Sequence, residues 1–327
     1  MEKLYDFTNA KIDKYKMYDG ANGGKKGIIY NDKNYMLKFP SINKSHLAKA
    51  DYSNSCISEY ISCKIYNSAG IEAQDTLLGT FGNKIVVACE DFEKDGFLFK
   101  NFASLKNTIV TSEKNGYGTE LEDILKTIDE QEMMPRDTII THFWDMFVMD
   151  SLLGNFDRHN GNWGFLINKE QSLIKLAPVF DCGSCLYPQL DENMMKNILE
   201  NPNEIIQRIE VFPNSAIKNN DIKINSINFF ATTDNEDCLK SLKNVTPRIN
   251  IEEINEIIDN TPTISEISKI FYKTMIKERK ERILDIAYER AVKETKLPDI
   301  SDIVQKIKSE KRVEIKQHSI KKDDFLH

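Results

Sequence analysis

The chain has 327 residues and a mass of 37.7 kDa, enough for two domains or one bilobed unit. Hydrophobic residues make up 40% and charged residues 29%, ordinary globular usage that excludes wholesale disorder. The net charge of -7 excludes the global cationic field that non-specific nucleic-acid binding draws on.

In residues 1–18 the charges are mixed and no apolar core follows, so no secretory signal is read there. Segments 27–30 and 34–39 flank Asp32-Lys33 and read as a β-hairpin. Over 53–68, Ile57, Tyr60, Ile61 and Ile65 recur at helical spacing, with Gly70 as a stop. Segments 76–81 and 84–89 flank Gly82-Asn83, a second hairpin. Beyond the polar stretch 90–96 most periodic segments are helical, which divides the chain into a small lobe, 1–93, and a large one, 94–327. The richest apolar stretch, 139–153, is broken by His142, Asp145 and Asp150, so it predicts a buried helix and no membrane span. Segments 163–167 and 173–176 predict a third hairpin. Thr263 and Glu266 form a capping box ahead of a long helix whose apolar positions include 267, 270, 271 and 276. Six unevenly spaced cysteines suit reduced thiols in a cytoplasmic setting, with non-classical export left open.

The chemistry-bearing stretch is Gly154-Asn155-Phe156-Asp157-Arg158-His159-Asn160-Gly161-Asn162, which precedes the third hairpin, and Pro178-Val179-Phe180-Asp181 follows it. A hairpin that leaves Asn162 and returns before Asp181 brings both to one side of a cleft. Asn162 and Asp181 can then hold Mg²⁺ on a triphosphate while Asp157 orients an attacking hydroxyl. Residues 20–27 lack side-chain bulk, so their N–H groups can approach phosphates, although neither a Walker A nor a Gly-x-Gly-x-x-Gly pattern is present. Lys38, a cation in an apolar strand, can reach the same phosphates, with Glu59 on the following helix as its partner. Cys182 and Cys185 form a Cys-x-x-Cys that lacks a second pair, so packing is the expected role. A metal-dependent nuclease would leave Lys38 and the glycine-rich segment unexplained.

In order and spacing these motifs resemble the HipA-like serine/threonine kinases, over about residues 18 to 190. The resemblance implies an α+β fold: a two-lobed protein-kinase-like fold with a small antiparallel-sheet N-lobe carrying one helix, and a larger, mainly helical C-lobe. It implies an ATP- and Mg²⁺-dependent enzyme that phosphorylates Ser or Thr of a protein substrate and is capable of autophosphorylation, with Ser184 and Tyr187 placed where an activation segment would lie. Asp157 would be the catalytic carboxylate, and Asn162 and Asp181 the metal ligands. Lys38 would contact the phosphates, paired by Glu59, with the Gly23 and Gly24 backbone above. Glu90 and Phe92 would present main-chain groups to adenine and Glu93 would bond the ribose. His159 would hold the catalytic loop, approach the γ-phosphate or serve as a buried structural group. A lipid or small-molecule kinase, and a nucleotide-binding module without turnover, are the alternatives. The HipA toxins carry an additional N-terminal region through which a DNA-binding antitoxin engages them. With few residues ahead of Gly20, no such partner is expected. HipA's inhibitory loop phosphorylation is not expected either, because 20–27 has no Ser or Thr.

Overall fold

Alternation in the stretch 33–38 decides which way the N-lobe faces. Tyr35 and Leu37 point to one side of the sheet and Met36 and Lys38 to the other, because successive side chains of a strand leave opposite faces. The computed structural model describes residues 2–16, 18, 24–40, 54–110 and 114–293. Its first sheet has the order β1-β5-β6-β4-β3-β2, built from β1 (Tyr5–Asp6), β2 (Lys11–Ile12), β3 (Lys25–Tyr30), β4 (Lys33–Lys38), β5 (Thr76–Phe81) and β6 (Lys84–Glu90). Every pairing is antiparallel except β1 with β5. The turn joining β3 and β4 is Asn31-Asp32, both at positive φ, one residue earlier than the sequence suggests. Tight hairpins favour this pair because both central residues must adopt left-handed φ.

Phe7, Ile28, Tyr35, Leu37, Val86 and Ala88 form a core on one face of the sheet. The other face presents Leu78, Val87 and Cys89 to the main core, which includes α1 (Ser55–Ser68). All four predicted apolar positions of α1 are buried. Truncating one of them, such as Ile61, to Ala would cost about 2–5 kcal/mol.

After the polar connector, 90–96, β7 (Leu98–Asn101) pairs with β8 (Gly164–Asn168), which pairs with β9 (Leu173–Leu176). Two short helices follow β7: α2 (Phe102–Ile109) and α3 (Leu121–Glu130). The predicted buried helix is α4 (Arg136–Leu153), and its last eight residues, 146–153, are all buried. Gly154 ends it at φ +67, a left-handed stop that most side chains resist. A small hairpin, β10 (Lys218–Asn219) with β11 (Ile222–Lys223), and further helices complete the C-lobe.

The long C-terminal helix is Glu266–Arg279, and its cap is Ser265, whose Oγ accepts from the Ser268 N–H at 3.2 Å. Thr263, the expected cap, sits at φ +69. Ile270, expected on the apolar face, is 54% exposed. Among the described residues no helix is long and apolar enough to cross a membrane.

Candidate active site

Strand alternation puts Lys38 on the α1 side, where its Nζ lies 3.1 Å from Glu59 Oε2 and 2.8 Å from Asp181 Oδ1. Asp181 arrives there because the segment before it is stitched to the N-lobe: Gln74 donates its N–H to the Val179 carbonyl, and Val179 donates to that of Glu72, both at 2.8 Å. Asp181 itself is held at φ +58, a conformation that non-glycine residues adopt mainly where neighbours impose it. Burial opposes the Lys38 charge, but Asp181 and Glu59 more than offset it and hold the ammonium pKa well above its ordinary value. The Lys38 charge in turn pulls Asp181 down to about 2. Burial raises the pKa of Glu59 despite its Lys38 partner. Its Oε1 is buried without a hydrogen bond.

The loop after Gly154 is organised by Arg158, which is 3% exposed. Its Nε donates to Asp150 Oδ2 at 2.9 Å, and Nη1 donates to the Asn162 carbonyl at 3.0 Å and to the Phe180 carbonyl. Nη2 reaches Asp150 Oδ1 at 3.3 Å and Cys182 Sγ at 3.4 Å. Asp150 Oδ1 also accepts from Tyr66 at 2.7 Å and from Asn155 Nδ2 at 2.8 Å. One guanidinium thus joins the end of α4, the loop carrying Asp157 and Asn162, and the backbone next to Asp181. Hydrogen bonds from Cys185, Cys63 and Arg158 lower the Cys182 thiol pKa. The cysteine pair is free and buried, as packing requires, and Cys182 is in addition an acceptor for Arg158.

Asp157 is exposed at the cleft. The surrounding walls still remove enough water to raise its pKa. His159 opposes that rise, Asp181 adds to it, and Arg158 and Lys223 oppose it more weakly. Asn162 donates its Nδ2 to the Asp157 carbonyl at 3.1 Å, which leaves its Oδ1 as the group for a ligand. His159 Nδ1 accepts the Gly161 N–H at 3.0 Å, a loop-holding contact.

On the connector, Glu90 donates its N–H to the Asp75 carbonyl, and its own carbonyl accepts from Gln74 Nε2 at 2.9 Å. A carbonyl has two lone pairs, so one remains for a ligand. The Glu90 carboxylate is paired with Lys33 and Lys94. The Phe92 ring meets Phe99 edge-on and Phe180 at a tilt, with centroids 5.5 and 5.4 Å apart. The Glu93 carboxylate accepts from Lys16 Nζ at 2.6 Å and from the Phe99 N–H at 2.7 Å. Lys16 also lies 2.9 Å from Asp91 Oδ2, which accepts from the Tyr18 hydroxyl at the same distance. Gly24 accepts from the Phe39 N–H at 3.3 Å, whereas Gly23 lies outside the described residues. Of the two hydroxyls after Asp181, Tyr187 is buried and donates to the Arg208 carbonyl, so it is not open as an acceptor. Ser184 is partly exposed.

Three residues gained a role only from the structure. Arg158 and Asp150 organise the loop, although their spacing carries no signal of a shared partner. Lys25 lies opposite Lys38 in the β3–β4 register. Burial and the Lys38 charge lower its pKa, against the pull of Asp181 and Glu59.

Paired lobes, a strand lysine held by a helix glutamate and an Asp-Arg-His-x-x-Asn loop facing a second aspartate together define a kinase-type fold. A family model described as HipA-like C-terminal domain matches residues 17–260. The serine/threonine-protein kinase CtkA of Helicobacter pylori (strain J99 / ATCC 700824) is 49% identical over 288 residues, 88% of each chain. The crystal structure of a Helicobacter pylori proinflammatory kinase CtkA matches with a TM-score of 0.85 at 47% identity, covering 90% of this chain and 99% of that one. A chain of the Shewanella oneidensis MR-1 toxin-antitoxin complex of HipA, HipB and operator DNA has a TM-score of 0.47 at 16% identity, covering 85% of this chain and 70% of that one, too distant to inform the site. The chain therefore belongs to the HipA-like family and is an enzyme of the serine/threonine-protein kinase class.

Proposed function

We propose that this enzyme transfers the γ-phosphate of ATP to Ser or Thr hydroxyls of a protein, in a cleft between an N-lobe of residues 1–93 and the remainder. The observation that carries the reading is Lys38 standing between Glu59 and Asp181 while Arg158 ties the Asp157 loop to the Asp181 backbone. Lys38 holds the α- and β-phosphates, Lys25 adds a second cation at the same mouth, and the Gly23 and Gly24 backbone covers the phosphates. The Glu90 carbonyl and Phe92 N–H receive adenine, and Glu93 adds a ribose contact beside its bond to Lys16. The donor set fits magnesium: one carboxylate, Asp181, and one amide oxygen, Asn162, with the remaining ligands left to phosphates and water. When bound there, Mg²⁺ neutralises phosphate charge that builds during transfer.

Asp157 orients the acceptor hydroxyl and takes its proton, a task suited to a carboxylate whose pKa is raised by the walls around it. His159 keeps the loop in shape through Gly161. Among partners, a protein bearing the acceptor is proposed. The chain's own partly open hydroxyls, Ser184 among them, are proposed as secondary acceptors.

The test is Asp157→Asn assayed with labelled ATP and a cell lysate. Transfer should fall by about 10²–10⁴-fold while nucleotide binding persists. Undiminished labelling of protein would end the assignment, and label found only in lipid would redirect it to the lipid-kinase alternative.

A further inference from the structure

Tyr117 is half exposed, at 50%, and its ring lies against the catalytic loop. Its ring meets His159 edge-on, with centroids 6.3 Å apart. A Cβ added to Gly161 would lie only 2.9 Å from Tyr117 Cε1, so the ring rests directly on the loop backbone between His159 and Asn162. Asn101 Nδ2 donates to its hydroxyl at 3.3 Å.

The carbonyls on either side of Tyr117 are clamped from behind. Lys106, fully buried, donates to the Gly118 carbonyl at 2.8 Å. Asn160, also fully buried, donates to Gly116 at 2.9 Å and to Gly118 at 2.7 Å. Burying an ammonium and an amide is costly unless their bonds compensate. Lys106 is also paired with Asp123 at 3.0 Å, and both buried groups donate to the loop on which Tyr117 faces solvent.

The stretch after Tyr117 carries the β10–β11 hairpin. Lys218 donates its N–H to the Thr119 carbonyl at 2.9 Å, and Thr119 donates its hydroxyl to Ala216 at 2.7 Å. In the second strand of that hairpin Ile222 is 73% exposed, and the exposed Lys223 pairs opposite Lys218, the residue bonded to Thr119, so both lie beside the backbone that carries Tyr117. A fixed aromatic ring, an aliphatic side chain and one cation beside a proton-accepting carboxylate suit an extended peptide. A polyanionic lipid headgroup calls for several cations.

We propose, resting on the protein-kinase reading above, that Tyr117 is the anchor for the acceptor segment of the protein substrate, with Ile222 and Lys223 as its second contact. A rigid aromatic side chain gives large contact area at little entropic cost, which is why such residues dominate binding hot spots. Lys223 favours acidic residues flanking the acceptor Ser or Thr.

The test uses the full chain and a library of short synthetic peptides with a central Ser or Thr. Tyr117→Ala should raise KM for the best peptides by roughly tenfold or more without a matching rise in KM for ATP, and Tyr117→Phe should keep most of the affinity. Lys223→Glu should move selectivity away from acidic flanks. An unchanged peptide KM in Tyr117→Ala, or an equal rise in KM for ATP, overturns the anchor alone. A wild-type enzyme that labels no Ser or Thr peptide overturns the protein-kinase reading and the anchor with it.

Discussion

Two ionic networks meet at the cleft, one around Lys38 and one around Arg158, and they are built to different standards. Arg158 has all of its hydrogen-bonding edges engaged, and both oxygens of Asp150 are occupied as well. Lys38 carries three N–H groups and has two carboxylate partners, while Glu59 keeps one buried oxygen unpartnered. A saturated network resists rearrangement, because every displaced group leaves a buried partner unpaired. An unsaturated one keeps capacity for an incoming ligand. The difference separates the part that fixes geometry from the part proposed to receive phosphate.

The largest effect should come from breaking the saturated network. Arg158→Met leaves Asp150 buried and uncompensated, and should cost about 3–5 kcal/mol of stability, read by denaturant unfolding. A loss below about 1 kcal/mol would show that the two networks are not different in kind.

Lys38→Met should act the other way round, lowering phosphate transfer by about 10²-fold, equivalent to about 2.7 kcal/mol of barrier, with a smaller stability change. Glu59 can respond by taking up a proton, since its pKa is already raised. A carboxyl whose folded pKa exceeds its unfolded value of about 4.3 contributes stability below that value and loses it as pH rises through the folded pKa. The variant's Tm should therefore recover toward wild type as pH is lowered from about 7 to 5. Calorimetry across that range checks it, and a pH-independent deficit would mean that Glu59 stays charged.

The smallest effect concerns the acid limb of kcat/KM. Asp181 remains ionised down to about 2, so the limb should belong to Asp157 and lie above the ordinary aspartate value of about 3.9. Lys223→Ala should move it upward by a few tenths of a pH unit, because that charge favours the carboxylate. A limb that moves downward instead would assign it to another group.

The proposed reacting groups were legible because each lies in a local pattern: Lys38 in an alternating strand, Asp157 and Asn162 in one loop, and Asp181 at the foot of a hairpin. The three hairpins and the helices α1 and α4 were legible for the same reason. Arg158 was visible only as part of a motif, since its partners Asp150, Asn162, Phe180 and Cys182 are joined by tertiary packing. Strands β1, β2, β10 and β11 have two residues each, too few to show a period. At the C-terminal helix two cap-forming residues competed. Ser265 took the cap through its bond to Ser268, and Glu266 became the first helical residue rather than the third.

The contacts of Lys16 and Tyr18 with Asp91 and Glu93 moor the segment ahead of the glycine-rich residues to the connector. Lys16 and Glu93 are both partly open to solvent, so dissolved ions screen their attraction, whereas Glu59 beneath Lys38 is shielded from them. Ionic strength therefore reaches this cleft through its rim and leaves its floor untouched.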